Sequence, residues 1–270
     1  MTATLAALPG APSAAPSAAL SAALSVAPPG AGLPPLAEAE LARLRAAHAA
    51  LRARIDGAAR AAGRSGEAIT LLAVSKTFGP EVIGAAAALG QRSFGENYVQ
   101  EAVAKMDALA AAGIGGLEWH FIGPIQSNKT RSIAARFDWV QSIDRASIAR
   151  RLSEQRPAAL APLQVLLELN ASAEDSKSGI EPDALAALAE AVAALPRLTL
   201  RGIMAIPRPG LAPAQQRATF AGLRERFEAL RAACPTVDTL SLGMSADFEA
   251  AIGAGATLVR IGSALFGQRR

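Results

Sequence analysis

The stretch T-L-L-A-V-S-K-T-F-G-P, Thr70 to Pro80, decides the fold. Its apolar run, Leu71 to Val74, is too short for a helix, and a Gly-Pro pair ends the stretch, so it predicts a buried strand, a turn and then a helix. The strand leads into one lysine, Lys76. Desolvation lowers the pKa of a lysine and frees the neutral amine, which is the form that adds to a carbonyl. The alternative is a lysine that merely extends its amine into solvent from a strand end.

Strand-like and helix-like runs alternate from this point to the end of the chain. Eight runs are typical of strands: Thr70–Ser75, Arg92–Gly95, Glu118–Ile122, Trp139–Ile143, Leu163–Asn170, Leu198–Ala205, Thr239–Leu242 and Thr257–Ile261. The helix-like runs between them are Glu81–Leu89, Tyr98–Ala112, Asn128–Arg136, Ala146–Gln155, Pro182–Leu195, Pro213–Ala233 and Ala246–Ile252. Eight such units in about 200 residues predict a closed (β/α)8 barrel of the TIM type. An open doubly wound sheet is the alternative, but its first strand would lead into a glycine-rich dinucleotide turn, which Lys76–Gly79 is not.

Residues 1–35 are mainly Ala, Pro, Ser and Gly, without Lys or Arg. They lack the basic start of a secretory signal and the arginines of a transit peptide, and their longest proline-free stretch is too short to span a bilayer. We expect a disordered tail over residues 1–35, with a mis-assigned start codon as the alternative. One barrel domain is expected over residues 36–270. It begins with an additional amphipathic helix, Leu36–Ala62.

Composition and charge narrow the function. A single cysteine, Cys234, excludes an internal disulfide and a cysteine-based metal site, and it fits a reducing compartment. The net charge is +4, with basic residues scattered among acidic ones, so a nucleic-acid role has little support and an anionic small ligand suits the charge equally well. No segment predicts a membrane span. We therefore expect a cytoplasmic protein without a nucleic-acid or membrane partner.

Active groups of a (β/α)8 barrel belong at the C-terminal ends of its strands. Polar or otherwise unusual residues stand at or near every predicted strand end: Lys76, Glu96, Asn97, His120, Ser142, Asp144, Asn170, Met204, Ser241–Ser245 and Arg260–Ser263. Any one of them could be a buried polar group that is simply hydrogen-bonded within the structure. Their recurrence at all eight ends predicts a functional site on this face.

Two of these ends have the pattern of a phosphate site. S-L-G-M-S, Ser241–Ser245, precedes a helix, and R-I-G-S-A-L-F-G, Arg260–Gly267, repeats the pattern at the last strand. Glycine lets backbone N–H groups approach an oxyanion, and the loops after strands 7 and 8 are the usual phosphate site of this barrel. The alternative is that the glycines only make tight turns. Arg260 alternates with Leu258 and is predicted to point into the barrel, toward an acidic partner or a ring nitrogen of a cofactor.

A phosphate site, a Schiff-base lysine on its opposite side and a polar group for a ring nitrogen together describe a pyridoxal phosphate (PLP) site. Seven longer stretches carry a more specific signal: A-V-S-K (Ala73–Lys76), F-G-E-N-Y-V-Q-E (Phe94–Glu101), W-H-F-I-G-P-I-Q-S-N-K (Trp119–Lys129), S-K-S-G-I (Ser176–Ile180), R-G-I-M-A-I-P (Arg201–Pro207), L-S-L-G-M-S-A-D-F-E-A-A-I (Leu240–Ile252) and V-R-I-G-S-A-L-F-G (Val259–Gly267). From about Leu36 to its end, the chain resembles the pyridoxal phosphate homeostasis proteins, known also as YggS/PROSC-like proteins. These are similar to the N-terminal barrel of alanine racemases.

The resemblance implies the barrel of PLP fold type III and a set of cofactor-binding residues. Lys76 is implied to carry PLP as a Schiff base, and Arg260 to face the pyridine nitrogen. The implied phosphate ligands are Ser245, Gly262 and Ser263, and the remaining implied binding residues are Asn97 and Met244. The sequence departs from the family pattern at Leu242, often Met, and at Ser263, often Thr; both keep the local chemistry.

The function expected from the resemblance is a non-catalytic carrier in vitamin B6 homeostasis that stores, buffers or delivers PLP. Its expected partners are PLP, other B6 vitamers and apo PLP-dependent enzymes. A PLP-dependent amino-acid racemase or related fold type III enzyme is the alternative, and the barrel alone would also allow a Schiff-base aldolase that acts on a sugar phosphate. A weak PLP-dependent side activity is compatible with the carrier.

The residues favour the carrier over the racemase. Racemisation needs acid/base groups on both faces of the bound substrate, and in alanine racemases a tyrosine from a second, β-rich domain serves one of them. Here Lys76 is the one evident base, and the only tyrosine, Tyr98, begins a predicted helix. An arginine opposite the pyridine nitrogen also disfavours protonation there, which weakens the ring as an electron sink. The second, β-rich domain of alanine racemases is not expected after Arg260. Without that domain the racemase dimer contact is lost, so we expect a monomer.

Overall fold

The computed structural model describes residues 32–171 and 179–268. Eight strands of this part form a closed barrel in chain order: β1 Thr70–Val74, β2 Ser93–Glu96, β3 Glu118–Phe121, β4 Trp139–Ile143, β5 Leu163–Leu169, β6 Leu198–Ala205, β7 Thr239–Ser241 and β8 Leu258–Ile261. The α-helices are α1 Glu38–Ala61, α2 Pro80–Ala88, α3 Val99–Ala111, α4 Thr130–Arg136, α5 Ala146–Gln155, α6 Leu185–Ala193, α7 Pro213–Ala233, α8 Phe248–Gly253 and α9 Ser263–Phe266.

Every strand pairs in parallel with both of its neighbours, and β1 pairs with β8 to close the barrel. The predicted (β/α)8 barrel with an additional N-terminal helix is thus confirmed, and the open sheet is excluded because β1 has a partner on each side. The predicted strand bounds hold to within one residue, since each apolar run ends at a polar or glycine-bearing turn. The helix predicted from Ala246 begins two residues later, at Phe248.

The apolar core lies mainly between the strands and the surrounding helices. Its largest fully buried side chains include Ile55, Ile83, Phe94, Phe121, Phe137, Phe220, Phe227 and Phe248. A separate small cluster consists of Trp139, Leu166 and Met204. Gln141 on β4 bonds to Ser241 on β7, and these two strands are not neighbours, so this bond crosses the interior of the barrel. The interior therefore contains polar side chains as well as the small apolar cluster.

Helix α1 covers one side of the barrel and packs against α8 and α9. Its buried stripe is Leu44, Leu51, Ile55 and Ala59. Ahead of the helix, Leu33 and Leu36 are partly buried against the main core. Most of the predicted disordered tail, residues 1–31, lies outside the described residues, so both the tail and the domain boundary at residue 36 remain predictions.

Two further features of the described residues bear on function. None of the helices in the described part of the chain is long and apolar enough to cross a membrane. The same residues contain no group of three or more His, Cys, Asp or Glu side chains that could hold a metal ion.

Truncation tests the contact ahead of α1. We expect removal of residues 1–31 to leave the thermal midpoint nearly unchanged. Removal of residues 1–36 should reduce the free energy of unfolding by about 1–3 kcal/mol, because two partly buried leucines lose apolar contacts. Thermal denaturation gives the midpoint and urea denaturation gives the free energy of unfolding, both followed by circular dichroism. A large loss in the shorter truncation would show that residues 1–31 pack on the barrel.

Candidate functional site

Lys76 lies in the turn that follows β1, at the C-terminal face of the barrel, and is partly buried. The next residue, Thr77, has a φ of 72°. This left-handed conformation costs a residue with a side chain roughly 1–2 kcal/mol. The turn is held on both sides of the lysine, since the Ser75 N–H donates to the Gly95 carbonyl at 3.0 Å and the Thr77 N–H to Glu101 Oε1 at 2.5 Å.

A buried ionic cluster supports this turn from β2 and α3. Lys105 Nζ donates to the Ser75 carbonyl at 2.9 Å, to Glu96 Oε1 at 2.8 Å and to Glu101 Oε1 at 2.5 Å. Ser75 Oγ donates to Glu96 Oε1 at 2.7 Å, and both Glu96 and Lys105 are buried. Burial raises the pKa of Glu96 even though Lys105 and Ser75 favour its ionised form. The cluster fixes the backbone on which Lys76 stands.

The loops after β7 and β8 lie side by side and form a polar cup. Ser263 Oγ donates to Ser245 Oγ at 3.2 Å, and the Ala264 N–H donates to the same oxygen at 3.3 Å. The N–H groups of Gly262 and Ser263 stand at the start of α9, where no helical carbonyl precedes them. Hydroxyl and N–H donors of this kind fit a phosphate.

The β7 loop needs a glycine for its path. Gly243 has a φ of 95°, and a Cβ there would lie 2.7 Å from the Ala251 Cβ and 2.9 Å from the Phe248 Cα. The next N–H, that of Met244, donates to Asp247 Oδ1 at 2.7 Å. This bond keeps the loop in a turn and delays the start of α8. It also gives the Met244 amide a partner inside the loop.

The lysine turn and the cup are neighbours because β1 pairs with β8. Ala73 is in register with Ile261, and a Cβ on Gly262 would lie 3.4 Å from the Val74 carbonyl. Beyond them, the rings of Phe78 and Phe266 pack with centroids 5.0 Å apart. The structure thus brings together the predicted residues Lys76, Ser245, Gly262 and Ser263.

Asn97 follows β2 at the same face and carries an unsatisfied acceptor. Within the described residues, Asn97 Oδ1 and Glu96 Oε2 are buried and have no hydrogen-bond partner. A buried acceptor left in this state costs about 1–3 kcal/mol. Gly123 packs directly on Asn97, since a Cβ there would lie 2.4 Å from the Asn97 carbonyl oxygen. An acceptor held in place without a donor fits a site that receives a ligand.

Arg260 lies deeper, in the barrel interior, and is buried. Its Nη1 donates to Ser241 Oγ at 2.7 Å and its Nη2 to the Ala205 carbonyl at 2.9 Å. Burial lowers the pKa of Arg260 to about 10, against the opposing effect of Glu168 and Asp247, so the group stays charged at neutral pH. These two bonds leave further guanidinium N–H groups for a ligand.

Residues 46–270 match the family of the alanine racemase N-terminal domain. The pyridoxal phosphate homeostasis protein of Escherichia coli K12 is 55% identical over 221 residues, which are 82% of this chain and 94% of that protein. The protein of the same name from Pseudomonas aeruginosa PAO1 is 58% identical over 221 residues, with the same coverage of 82% and 94%. The chain belongs to the pyridoxal phosphate homeostasis protein family. The resemblance read from its sequence is confirmed.

Solved structures agree with this family assignment. PipY of Synechococcus elongatus, in a structure with PLP bound, has a TM-score of 0.73 and 34% identity, and the match covers 83% of this chain and all of PipY (100%). Alanine racemase from Corynebacterium glutamicum has a TM-score of 0.64 at 20% identity, over 84% of this chain and 62% of the racemase. The latter likeness concerns the fold alone, and it confirms the predicted alanine racemase-type barrel of PLP fold type III.

Two groups near the site were missed by the sequence reasoning. Lys105 stands on the buried stripe of α3 with Ala102 and Met106, four residues after Glu101. A lysine on an apolar stripe, one helical turn after an acidic residue, is the sequence signal that could have indicated this buried ion pair. Glu168 lies inside β5, where burial and the nearby Asp144 raise its pKa to about 7 against the effect of Arg260. Of the family stretch Ser176–Ile180, residues 176–178 lie outside the described part.

Replacement of Lys105 by methionine tests the ionic cluster. The variant leaves a fully buried carboxylate, Glu96, without its cation, and we expect the free energy of unfolding to fall by about 3–5 kcal/mol. Arg136→Met is the matched control, because Arg136 pairs with Asp107 at the surface and such pairs contribute about 0–1 kcal/mol. Urea denaturation at neutral pH measures both. Equal losses in the two variants would contradict a supporting role for Lys105.

Proposed function

We propose that this protein binds pyridoxal 5'-phosphate and stores, buffers or delivers it in vitamin B6 homeostasis, without substantial turnover of amino acids. The observation that carries the proposal is the lysine turn beside the polar cup, with Arg260 in the barrel interior. The E. coli relative is named a pyridoxal phosphate homeostasis protein, and PipY has been solved with PLP bound. Both support the same ligand for this chain.

The proposed roles follow from the position of each group. The neutral amine of Lys76 would add to the aldehyde carbon of the cofactor with loss of water, which gives a Schiff base. Hydrolysis of that Schiff base would release the cofactor again. The hydroxyls of Ser245 and Ser263 and the N–H groups of Gly262 and Ser263 donate to the phosphate. Asn97, whose Oδ1 is a buried acceptor without a partner in the described residues, and Met244 in the loop after β7 are proposed as further binding residues. Ser245 and Gly262 are half-buried and Ser263 is exposed, so the proposed phosphate site is open to solvent, which suits uptake and release.

Arg260 is proposed to donate to the pyridine nitrogen. A bound pyridoxal group supplies an electron-withdrawing ring, most effectively when its nitrogen is protonated. A guanidinium cannot give up its proton at neutral pH, and its positive charge disfavours a second proton nearby. Arg260 therefore holds the ring while keeping it a weak electron sink, which suits a carrier.

A fold type III enzyme, such as an amino-acid racemase, is the second candidate, and one observation favours it. Glu168 is a buried carboxyl whose pKa of about 7 suits proton transfer. Against it, the side chain of Tyr98 is exposed beside α3, as expected for a residue without a catalytic role. Within residues 32–171 and 179–268, Lys76 is the one base placed beside the cup. The turnover experiment below separates the two candidates.

We further propose that the protein acts in the cytoplasm as a monomer. B6 vitamers and apo PLP-dependent enzymes are its proposed partners. The support is indirect: the one cysteine, Cys234, is buried and free, as suits a reducing compartment.

Attachment of the cofactor at Lys76 is directly testable. The protein loaded with PLP should be yellow, and borohydride should fix the cofactor to the peptide that contains Lys76, as read by mass spectrometry. Lys129→Ala is the control, because Lys129 lies on a different loop, and it should retain the same labelled peptide. Fixation on Lys105 or Lys129 in the wild-type protein would contradict the assignment.

Turnover distinguishes the carrier from the enzyme. The loaded protein is incubated with a panel of L- and D-amino acids and, separately, with an apo PLP-dependent enzyme. We expect the apo enzyme to gain activity and the amino acids to remain unchanged. Racemisation or decarboxylation at about 1 per second or faster would refute the carrier, and loss of that activity in Glu168→Gln would identify the acid/base group.

A further inference from the structure

Polar side chains form an unbroken hydrogen-bonded chain across the interior of the barrel. Arg260 Nη1 donates to Ser241 Oγ at 2.7 Å, and Ser241 Oγ donates to Gln141 Oε1 at 2.7 Å. Gln141 Nε2 lies 2.9 Å from His120 Nδ1, and His120 Nε2 lies 2.8 Å from Glu118 Oε1. The chain runs from β8 through β7 and β4 to β3. It joins the arginine near the cup to the first residue of β3, at the opposite face of the barrel.

All donors in this chain point the same way. A guanidinium only donates, so Ser241 accepts from Arg260 and gives its own hydrogen to the Gln141 carbonyl. That orientation turns the Gln141 amide nitrogen toward His120, whose Nδ1 must then accept. His120 therefore carries its hydrogen on Nε2 and donates it to Glu118. Reversal of the Gln141 amide would leave the Ser241 hydroxyl without its acceptor.

Burial and ring stacking restrict the side chains of this hydrogen-bonded chain. His120, Gln141 and Ser241 are buried, and the His120 ring stacks on Trp139 with centroids 5.1 Å apart and 10° between planes. Glu118 closes the chain and also accepts from Ser93 Oγ at 3.0 Å. Burial alone would raise the pKa of Glu118, but the hydrogen bonds from His120 and Ser93 bring it below its usual range. The hydrogen-bonded chain thus has the cationic Arg260 at one end and the anionic Glu118 at the other.

Such a chain is not explained by stability. The interior of this barrel type is ordinarily filled by branched apolar side chains. Buried polar networks are weak evidence for stability, since well-packed apolar replacements are often neutral or stabilising. A network of this kind instead fixes which way each hydrogen bond points and where each side chain lies. Its end point is Arg260, the group proposed above to meet the cofactor.

We propose that His120 and Gln141 are positioning residues for Arg260, which set from the interior how the guanidinium is presented to the pyridine nitrogen. Gln141 takes the Ser241 hydrogen and so turns a lone pair of Ser241 toward Arg260. With Nη1 held there, the remaining guanidinium N–H groups are directed toward the cup. The inference rests on the proposed function for the role of Arg260. The chain itself, and the histidine tautomer that it requires, do not depend on PLP.

The first arm of the test therefore uses the protein without cofactor. Nitrogen-15 NMR of the histidine side chains distinguishes a protonated from an unprotonated ring nitrogen. The sequence holds only two histidines, so His48→Asn assigns the signals. We expect His120 to carry its hydrogen on Nε2 and to have a bare Nδ1. A hydrogen on Nδ1 would overturn the inference, whatever happens with PLP.

The second arm compares two replacements of His120. In His120→Gln the new carbonyl can accept from Gln141 and the new amide can donate to Glu118, so the direction of the chain is kept. His120→Leu breaks it. We expect the dissociation constant for PLP to rise about tenfold in His120→Leu, with a shifted absorption maximum of the bound cofactor, and to stay within about twofold in His120→Gln.

Controls separate positioning from general damage. Gln164→Leu removes an amide on β5 that accepts from Arg201 Nη1 at 2.8 Å outside the chain, and it should change neither the affinity nor the spectrum. If His120→Leu does not fold, Gln141→Leu replaces it with the same expectations. Wild-type affinity and spectrum in a folded chain-breaking variant would overturn the inference. Failure of the wild-type protein to bind PLP would instead refute the proposed function and leave the tautomer measurement to decide on the chain.

Discussion

The pairing of β1 with β8 is the contact on which the site depends. It joins the first and last strands of the barrel in register from Thr70 with Leu258 to Ala73 with Ile261. Because side chains at the C-terminal ends of paired strands share one face, this register sets the Lys76 turn beside Gly262 and the start of α9. Neither half of the chain could build the site alone, since the lysine comes from the first strand and the cup from the last two.

Two features that cost folding free energy lie around the site, and contacts elsewhere offset them. Thr77 holds a left-handed backbone conformation, and Asn97 Oδ1 is a buried acceptor without a partner in the described residues. Strain and unsatisfied groups of this kind persist only where the surroundings over-determine them. Here the surroundings are the Lys105 cluster, whose bonds to the Ser75 carbonyl and to Glu101 leave the turn little freedom. A turn held in this way presents its lysine in one place.

The sequence reasoning predicted most of what lies along the strands and little of what crosses between them. The strand bounds follow from periodicity and glycine placement. The sequence reasoning set Lys76 on the opposite side from the cup, whereas the pairing of β1 with β8 makes them neighbours. Gln141 bonds to Ser241 one hundred positions away, across strands that are not neighbours. Such a contact depends on strand tilt and on the irregular register of β4 between Val140 and Ile143, which no local pattern encodes. Lys105 was missed because its partners lie on β1, β2 and α3.

The hydrogen-bonded chain in the interior favours a charged Arg260, which the barrel fold itself does not require. Arg260 is surrounded by acceptors, the Ser241 hydroxyl and the Ala205 carbonyl, while the chain behind Ser241 ends in the ionised Glu118. Each of these favours a charged guanidinium, so the group remains a donor despite its burial. Under the proposed function, a permanent donor at the ring nitrogen holds a cofactor without activating it strongly, and the Lys76 bond remains reversible by water. Firm holding, weak activation and reversible attachment are the properties that a cofactor store requires, and under the proposal one arginine on β8 and one lysine in the turn after β1 would supply them.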